Sequence, residues 1–182
     1  CQMECFERNI HQNKIRKLES LQIILVTMKH RLGLLLLIMF TSAHGDVVGH
    51  ARVVDGDTIE VNRLRIRLNG IDTPESHQTC KRNDVIWACG REATIMTTRL
   101  IDGHQVQCIG GSHDRYGRLI ADCFAQGINI NSMLVKLGMA LAYRQYSVEY
   151  VAEEEIARQE KLGLWSGKFV APWAWRKGER LP

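Results

Sequence analysis

The stretch RLRIRLNGIDTPE (63–75) decides how the rest of the chain is read. Leu64, Ile66 and Leu68 alternate with Arg63, Arg65 and Arg67. That period of two puts apolar side chains on one face of a strand and charged ones on the other. The alternation predicts a half-buried strand in a sheet with one wet face. It ends at Asn69-Gly70, residues suited to a turn. Beyond the turn come Asp72, Thr73 and Glu75, polar groups placed just past a strand end.

Upstream, HARVVDGDTIEV (50–61) carries two β-branched runs around Asp55-Gly56-Asp57, which predicts a hairpin. Downstream, Thr79 to Gly90 is polar and is expected as a loop holding Cys80 and Cys89. HQVQCIG (104–110) and GRLIADCFA (117–125) predict two further strands, joined through the turn-rich GGSHDRYG. Helical spacing appears three times. Arg91 to Ile101 carries Ala93, Met96 and Leu100, and INSMLVKLG (130–138) carries Met133, Leu134 and Leu137 before Gly138. VEYVAEEEIARQEKLGLW (148–165) places Tyr150, Val151, Ala157 and Leu162 among many charges. Short strands first, with helices interleaved and trailing, predict an α+β domain built on a small barrel.

Asp57 and Asp72 both stand at strand ends beside hydroxyl residues, Thr58 and Thr73. Two carboxylates, a carbonyl and water are what a hard cation such as calcium requires. Asp-Gly-Asp is also ordinary hairpin chemistry, so the motif by itself reads first as a turn. Arg67 and Arg118 sharpen the metal reading. A guanidinium offers a planar fork of donors to phosphate oxygens and stays charged at working pH. A phosphodiester gains negative charge on its non-bridging oxygens as it becomes five-coordinate, and two arginines with a metal match that charge. Glu75, three residues after Asp72, can act on the attacking water as general base. Arg63 and Arg65 fit a solvated strand face instead.

DGDT (55–58), RLNGIDTPE (67–75) and DRYGR (114–118) resemble, in order and spacing, the motifs of the staphylococcal nuclease family. The likeness runs from about His50 to Gly167 and includes NINSMLVKLGMALAY (129–143) and KLGLWSG (161–167). The four-cysteine pattern and the PWAWR tail (172–176) resemble the family's exported bacterial members. The resemblance implies a five-stranded OB-fold β-barrel capped by about three α-helices. It implies Asp57 and Asp72 as side-chain metal ligands, with Thr73 supplying its main-chain carbonyl. Glu75 would act as base on a metal-activated water, and Arg67 and Arg118 would stabilise the transition state. Calcium would be the ion, and DNA and RNA the substrates, cut to leave 3′-phosphate ends. Tyr116 and Tyr143 fall where the family has tyrosines near the bound nucleotide, and Arg115 would add a phosphate contact. The competing class is an OB-type module that holds nucleic acid without cutting it. A structural partner-binding protein is a third, and it leaves Arg67 and Arg118 without a task.

MKHRLGLLLLIMFTSAHG (28–45) has a basic front, an apolar run and small residues at its exit, the layout of a secretory signal. Its apolar run is shorter than the roughly 20 residues a membrane span needs, so no stable membrane insertion is expected. The chain opens on Cys1, and residues 1–27 are expected to be over-extended translation upstream of Met28. The expected nuclease domain is 46–182, a monomer exported to the periplasm or medium. The whole chain carries 24 basic and 20 acidic residues, and removal of 1–45 leaves 18 against 17. Nucleic acid must then be held by a local basic cleft rather than by net charge.

Four cysteines remain after 45: Cys80, Cys89, Cys108 and Cys123. They permit three pairings, and the expected one is Cys80–Cys89, closing the polar loop, with Cys108–Cys123 across neighbouring strands. None are close enough in sequence for the usual zinc spacing. His50, His77, His104 and His113 share no spacing and are expected at the surface, while Trp87, Trp165, Trp173 and Trp175 are expected as packing anchors.

Overall fold

The computed structural model describes residues 46–182, so the expected upstream segment (1–27) and signal sequence (28–45) lie outside the described residues. The chain begins with β1 (Val47–Asp55) and turns through Gly56-Asp57 into β2 (Thr58–Val61). Asn62 and Arg63, both at positive φ, make the tight turn into β3 (Leu64–Leu68). Such two-residue turns match the twist of antiparallel strands. A short strand, β4 (Ile71–Asp72), follows.

Where a loop was expected at 79–90, a small hairpin stands instead. It consists of β5 (Cys80–Arg82) and β6 (Val85–Trp87), turning on Asn83 and Asp84 at positive φ. Val85 and Ile86 remain exposed, so these three-residue strands carry no core-facing alternation to reveal them. The first helix, α1 (Cys89–Ile101), opens two residues earlier than expected and buries Cys89, Ala93, Thr97 and Ile101 along one face.

The strands β7 (Gln105–His113) and β8 (Leu119–Ala125) form a long antiparallel pair, and a short β9 (Ile128–Asn129) leads into α2 (Ile130–Lys136). Asn129 caps α2 by accepting the Ser132 amide at 3.0 Å. Then come β10 (Leu141–Ala142), α3 (Val151–Gln159), a 3-10 turn (Gly163–Ser166) and α4 (Pro172–Arg176). The last helix is additional to the three that the spacing predicts.

The main sheet runs β3-β2-β1-β7-β8, and a parallel pairing of β3 with β8 closes the ring. This is the five-stranded barrel expected of an OB-type α+β domain. Closure leaves no free edge among these strands. Ile59, Val61, Ile66, Leu68, Val106, Ala121 and Cys123 fill the core with Ile130 and Leu134 of α2. Leu64, Ile66 and Leu68 point inward as the alternation predicts, while Arg63 and Arg65 face solvent. Cys108 and Cys123 sit directly opposite on β7 and β8 and are bonded, as are Cys80 and Cys89. The second bond belongs to a separate apolar cluster with Leu141 and Leu164, packed by Trp87, Trp165, Phe169 and Trp173.

Candidate active site

The Asp55–Thr58 turn is held from two sides. Thr97 of α1 donates its hydroxyl to the Gly56 carbonyl at 2.7 Å. Gly56 itself packs against Thr73, and a Cβ there would lie 2.5 Å from the Thr73 hydroxyl oxygen. Only glycine lets these two segments approach so closely. As a result Thr73 donates both its amide (2.9 Å) and its hydroxyl (3.1 Å) to Asp57 Oδ2. A similar contact fixes the next segment. A Cβ on Gly90 would lie 1.7 Å from the Glu75 carbonyl oxygen, so α1 packs directly on the loop that carries Glu75.

Arg67 pairs across the hairpin with Thr58 and reaches both carboxylates, forming ion pairs with Asp57 and with Asp72 Oδ1 at 2.9 Å. Arg118 enters at the start of β8 and donates from Nη1 to Thr58 Oγ1 at 3.1 Å. Thr58 in turn donates to Asp57 Oδ1 at 3.3 Å. A continuous polar chain therefore joins Arg118, Thr58, Asp57 and Arg67. Asp114 holds Arg118 in place by accepting from its Nε at 2.8 Å and its amide at 3.0 Å. Burial opposes ionisation of Asp114, but hydrogen bonds from Arg118 and the Tyr116 amide outweigh it and hold the carboxyl below its usual range.

The Asn69-Gly70 turn is braced from below. Asn131 donates to the Asn69 carbonyl at 3.0 Å, and Tyr150 donates to Asp122 Oδ1 at 2.6 Å within the same network. Burial and the Asp122 bond push the Tyr150 phenol far up, so it acts there as a donor. The turn delivers Asp72, whose side chain is fully buried, into β4.

Asp55, Asp57, Arg67, Thr73, Glu75 and Arg118 line one cavity of about 780 Å³, with Asp72 immediately behind it. Arg115, Tyr116 and Tyr143 line the same cavity. Tyr116 is 69% exposed, and the Arg115 guanidinium lies 4.8 Å from its ring centroid. Tyr143 is stacked on Trp173 and is only half exposed. Both disulfides lie in packed clusters, outside this cavity. The four histidines are exposed, and His113 alone among them lines the cavity.

Three residues of the site were not singled out by sequence reasoning. Asp55 accepts the Asp57 amide at 3.1 Å, and burial, then the Asp57 charge, push its carboxyl up to about 6. Asp114 is the second. The third is Arg176 of α4, which donates to Asp72 at 3.1 and 2.7 Å and to Glu75 at 2.8 Å. Burial raises the Asp72 carboxyl above its ordinary value even though the Arg176 bonds pull it down. Burial would lower the Arg176 guanidinium, but bonding to Asp72 and Glu75 outweighs this, and it stays charged.

The donor set fits a hard divalent cation in kind, because every candidate ligand is oxygen. It also fits in charge: with Asp72, the carboxylates Asp55, Asp57, Glu75 and Asp114 outnumber Arg67, Arg115, Arg118 and Arg176 by one. Among the described residues, however, no three acidic, histidine or cysteine side chains are gathered as a ready-made metal cluster. The reason is visible in the contacts. Guanidinium groups of Arg67 and Arg176 stand between the carboxylates and occupy both oxygens of Asp72.

A sequence profile described as staphylococcal nuclease homologue matches residues 65–167. An uncharacterized endonuclease of Escherichia coli is 40% identical over 147 residues, covering 76% of this chain and 88% of that protein. A micrococcal nuclease of Shigella flexneri is 38% identical over 154 residues, covering 75% and 82% respectively. A staphylococcal-like nuclease of Arabidopsis thaliana is 32% identical over 127 residues, which is 68% of this chain and 36% of that longer protein.

Proposed function

Because the chain belongs to the staphylococcal nuclease family and is a nuclease, we propose that it is an exported, calcium-dependent enzyme that hydrolyses phosphodiester bonds in both DNA and RNA and leaves 3′-phosphate ends. The observation that supports this most is the polar chain from Arg118 through Thr58 and Asp57 to Arg67, with Glu75 in the same cavity. It offers two forked cations to one phosphate and a carboxylate beside them.

In this reading Asp57, Asp72 and the Thr73 carbonyl hold the ion, and Asp55 adds negative charge behind Asp57. A bound calcium ion supplies positive charge against the phosphate and eases deprotonation of water. Glu75 accepts the proton of the attacking water. Arg67 and Arg118 donate to the non-bridging oxygens as their charge grows, and Asp114 fixes the Arg118 fork beforehand. Arg115 meets a neighbouring phosphate, while Tyr116 and Tyr143 offer ring faces to bases without sequence preference.

Two disulfides suit an oxidising compartment, and among the described residues no helix is long and apolar enough to cross a membrane. Both fit export to the periplasm or the medium, and the enzyme would act as a monomer.

The test is cleavage of single-stranded DNA and RNA by the purified protein with calcium, repeated with excess chelator and with Glu75→Gln. Cleavage lost in both arms, with products whose 5′ ends accept kinase labelling directly and whose 3′ ends can be extended only after phosphatase treatment, supports the reading. Full activity in chelator would remove the metal from it.

A further inference from the structure

Arg176 grips two carboxylates that the proposed chemistry needs. Its Nη1 donates to Asp72 Oδ1 at 3.1 Å and to Glu75 Oε1 at 2.8 Å, and its Nη2 donates to Asp72 Oδ2 at 2.7 Å. Asp72 is fully buried, and among the described residues its other charged partner is Arg67, on Oδ1. A buried carboxylate stripped of its cation is strongly destabilising. Arg176 therefore stands where positive charge is required while no ion is bound.

The tail that carries Arg176 is anchored to the loop that carries Glu75. Gln78, fully buried, accepts the Glu75 amide at 3.2 Å and donates to the Val170 carbonyl at 2.7 Å. Pro172 and Trp175 are buried on α4. The helix is thus fixed, while the Arg176 side chain is 40% exposed and has room to turn.

An ion on Asp72 Oδ2 and the Arg176 Nη2 donor exclude each other. A guanidinium displaced from Asp72 loses two of its three bonds and keeps only Glu75. Asp57 and Asp114 already pair with Arg67 and Arg118, and the second cavity that Arg176 lines has no carboxylate in its wall. With Asp72 included, the acidic side chains of the site outnumber its arginines by one, so a divalent ion leaves one net positive charge. A phosphodiester brings one negative charge, and its non-bridging oxygens suit the released donors.

We infer that Arg176 is a switching residue. Without an ion it neutralises Asp72 and Glu75. With one it turns to the substrate phosphate, and ion and phosphate binding are coupled through it. The inference rests on the nuclease reading of the cavity and adds a third guanidinium to Arg67 and Arg118. A phosphate gives Arg176 a new partner and so eases its departure from Asp72, which tightens the ion. Linkage makes the effect reciprocal, so the ion tightens the phosphate by the same factor.

The experiment measures calcium binding by titration calorimetry, with and without saturating deoxyadenosine 3′-monophosphate, the end group of the proposed product. It is run on wild type, Arg176→Gln, Arg176→Lys and Lys177→Gln. Lys177 is exposed at the α4 cap and does not line the catalytic cavity, so it controls for loss of a tail charge. The nucleotide should tighten calcium in wild type by a factor about ten times that in Arg176→Gln, where only direct ion–phosphate attraction remains. Arg176→Lys keeps a charge beside Asp72, and with it the fold, but offers no fork and should give a smaller factor than wild type. Lys177→Gln should match wild type. An equal factor in wild type and either Arg176 variant, or an equal fall in Lys177→Gln, overturns the switch while leaving the nuclease reading intact. Absence of calcium binding by wild type overturns both.

Discussion

Both terminal nitrogens of Arg176 reach the carboxylate of Asp72, at 3.1 and 2.7 Å, across 104 positions of sequence. One of them also bonds Glu75. The last helix thus places a positive charge where the proposed ion would need the same oxygens. Arg176→Gln should therefore tighten calcium binding about tenfold, or roughly 1.4 kcal/mol. Without calcium the same variant should be less stable, because Asp72 is buried and loses one of its two cations. Since Arg176 is 40% exposed, that loss is put at about 1–2 kcal/mol, below the range for a fully buried pair. Titration calorimetry reads the first effect and thermal melting in chelator the second. Weaker calcium binding in Arg176→Gln would show that the guanidinium supports the ion instead of competing with it.

Glu75→Gln should lower kcat by about 10²–10³-fold while changing nucleic-acid affinity little, since general-base assistance is realised only in the transition state. Arg118→Lys should cost a similar factor, because lysine cannot keep both the Asp114 and Thr58 bonds and still offer a fork. Single-turnover rates and filter binding separate the two quantities. Near wild-type rates in both variants would move the chemistry elsewhere.

The barrel was legible because its strands obey a period of two against one core, and because the Asp55-Gly56-Asp57 turn leaves a local mark; the Asn62-Arg63 turn did not, since Arg63 reads as part of the alternating strand. The residues gathered around Thr58 were legible because three short motifs hold them. What stayed hidden had no local mark. The β5–β6 hairpin exposes Val85 and Ile86, so its pattern resembles a loop. Asp55 reads as a turn former until its burial and its bond from the Asp57 amide are seen. Arg176 sits on a five-residue helix, and only the packing of the tail against the barrel brings it to Asp72.

Asp114→Asn should loosen Arg118 without touching substrate. It should reduce kcat/KM by about tenfold, with Arg118 still present to bind phosphate. The stability profile carries a second signature. Asp114 titrates below its usual range when folded, so its contribution is full above the ordinary carboxylate pKa and fades as pH falls through the depressed value. Asn lacks that titration, so the stability gap between wild type and variant should narrow below about pH 4. A gap that stays constant from neutral pH into acid would assign Asp114 no such role.

The two disulfides should separate cleanly by what they hold. Cys108–Cys123 spans 15 positions and ties β7 to β8 inside the barrel core, so replacing both cysteines with alanine should cost about 3 kcal/mol of global stability. Cys80–Cys89 closes a shorter loop in the outer cluster, at the start of α1. Cys89 is followed by Gly90, whose backbone packs against the Glu75 carbonyl, so loss of this bond should disturb the catalytic loop before it unfolds the barrel. The expected pattern is a large fall in melting temperature for the first pair. For the second, a smaller fall should come with a disproportionate loss of kcat. Equal thermal losses with unchanged kcat in the Cys80/Cys89 variant would mean that the outer bond staples the fold and has no hold on Glu75.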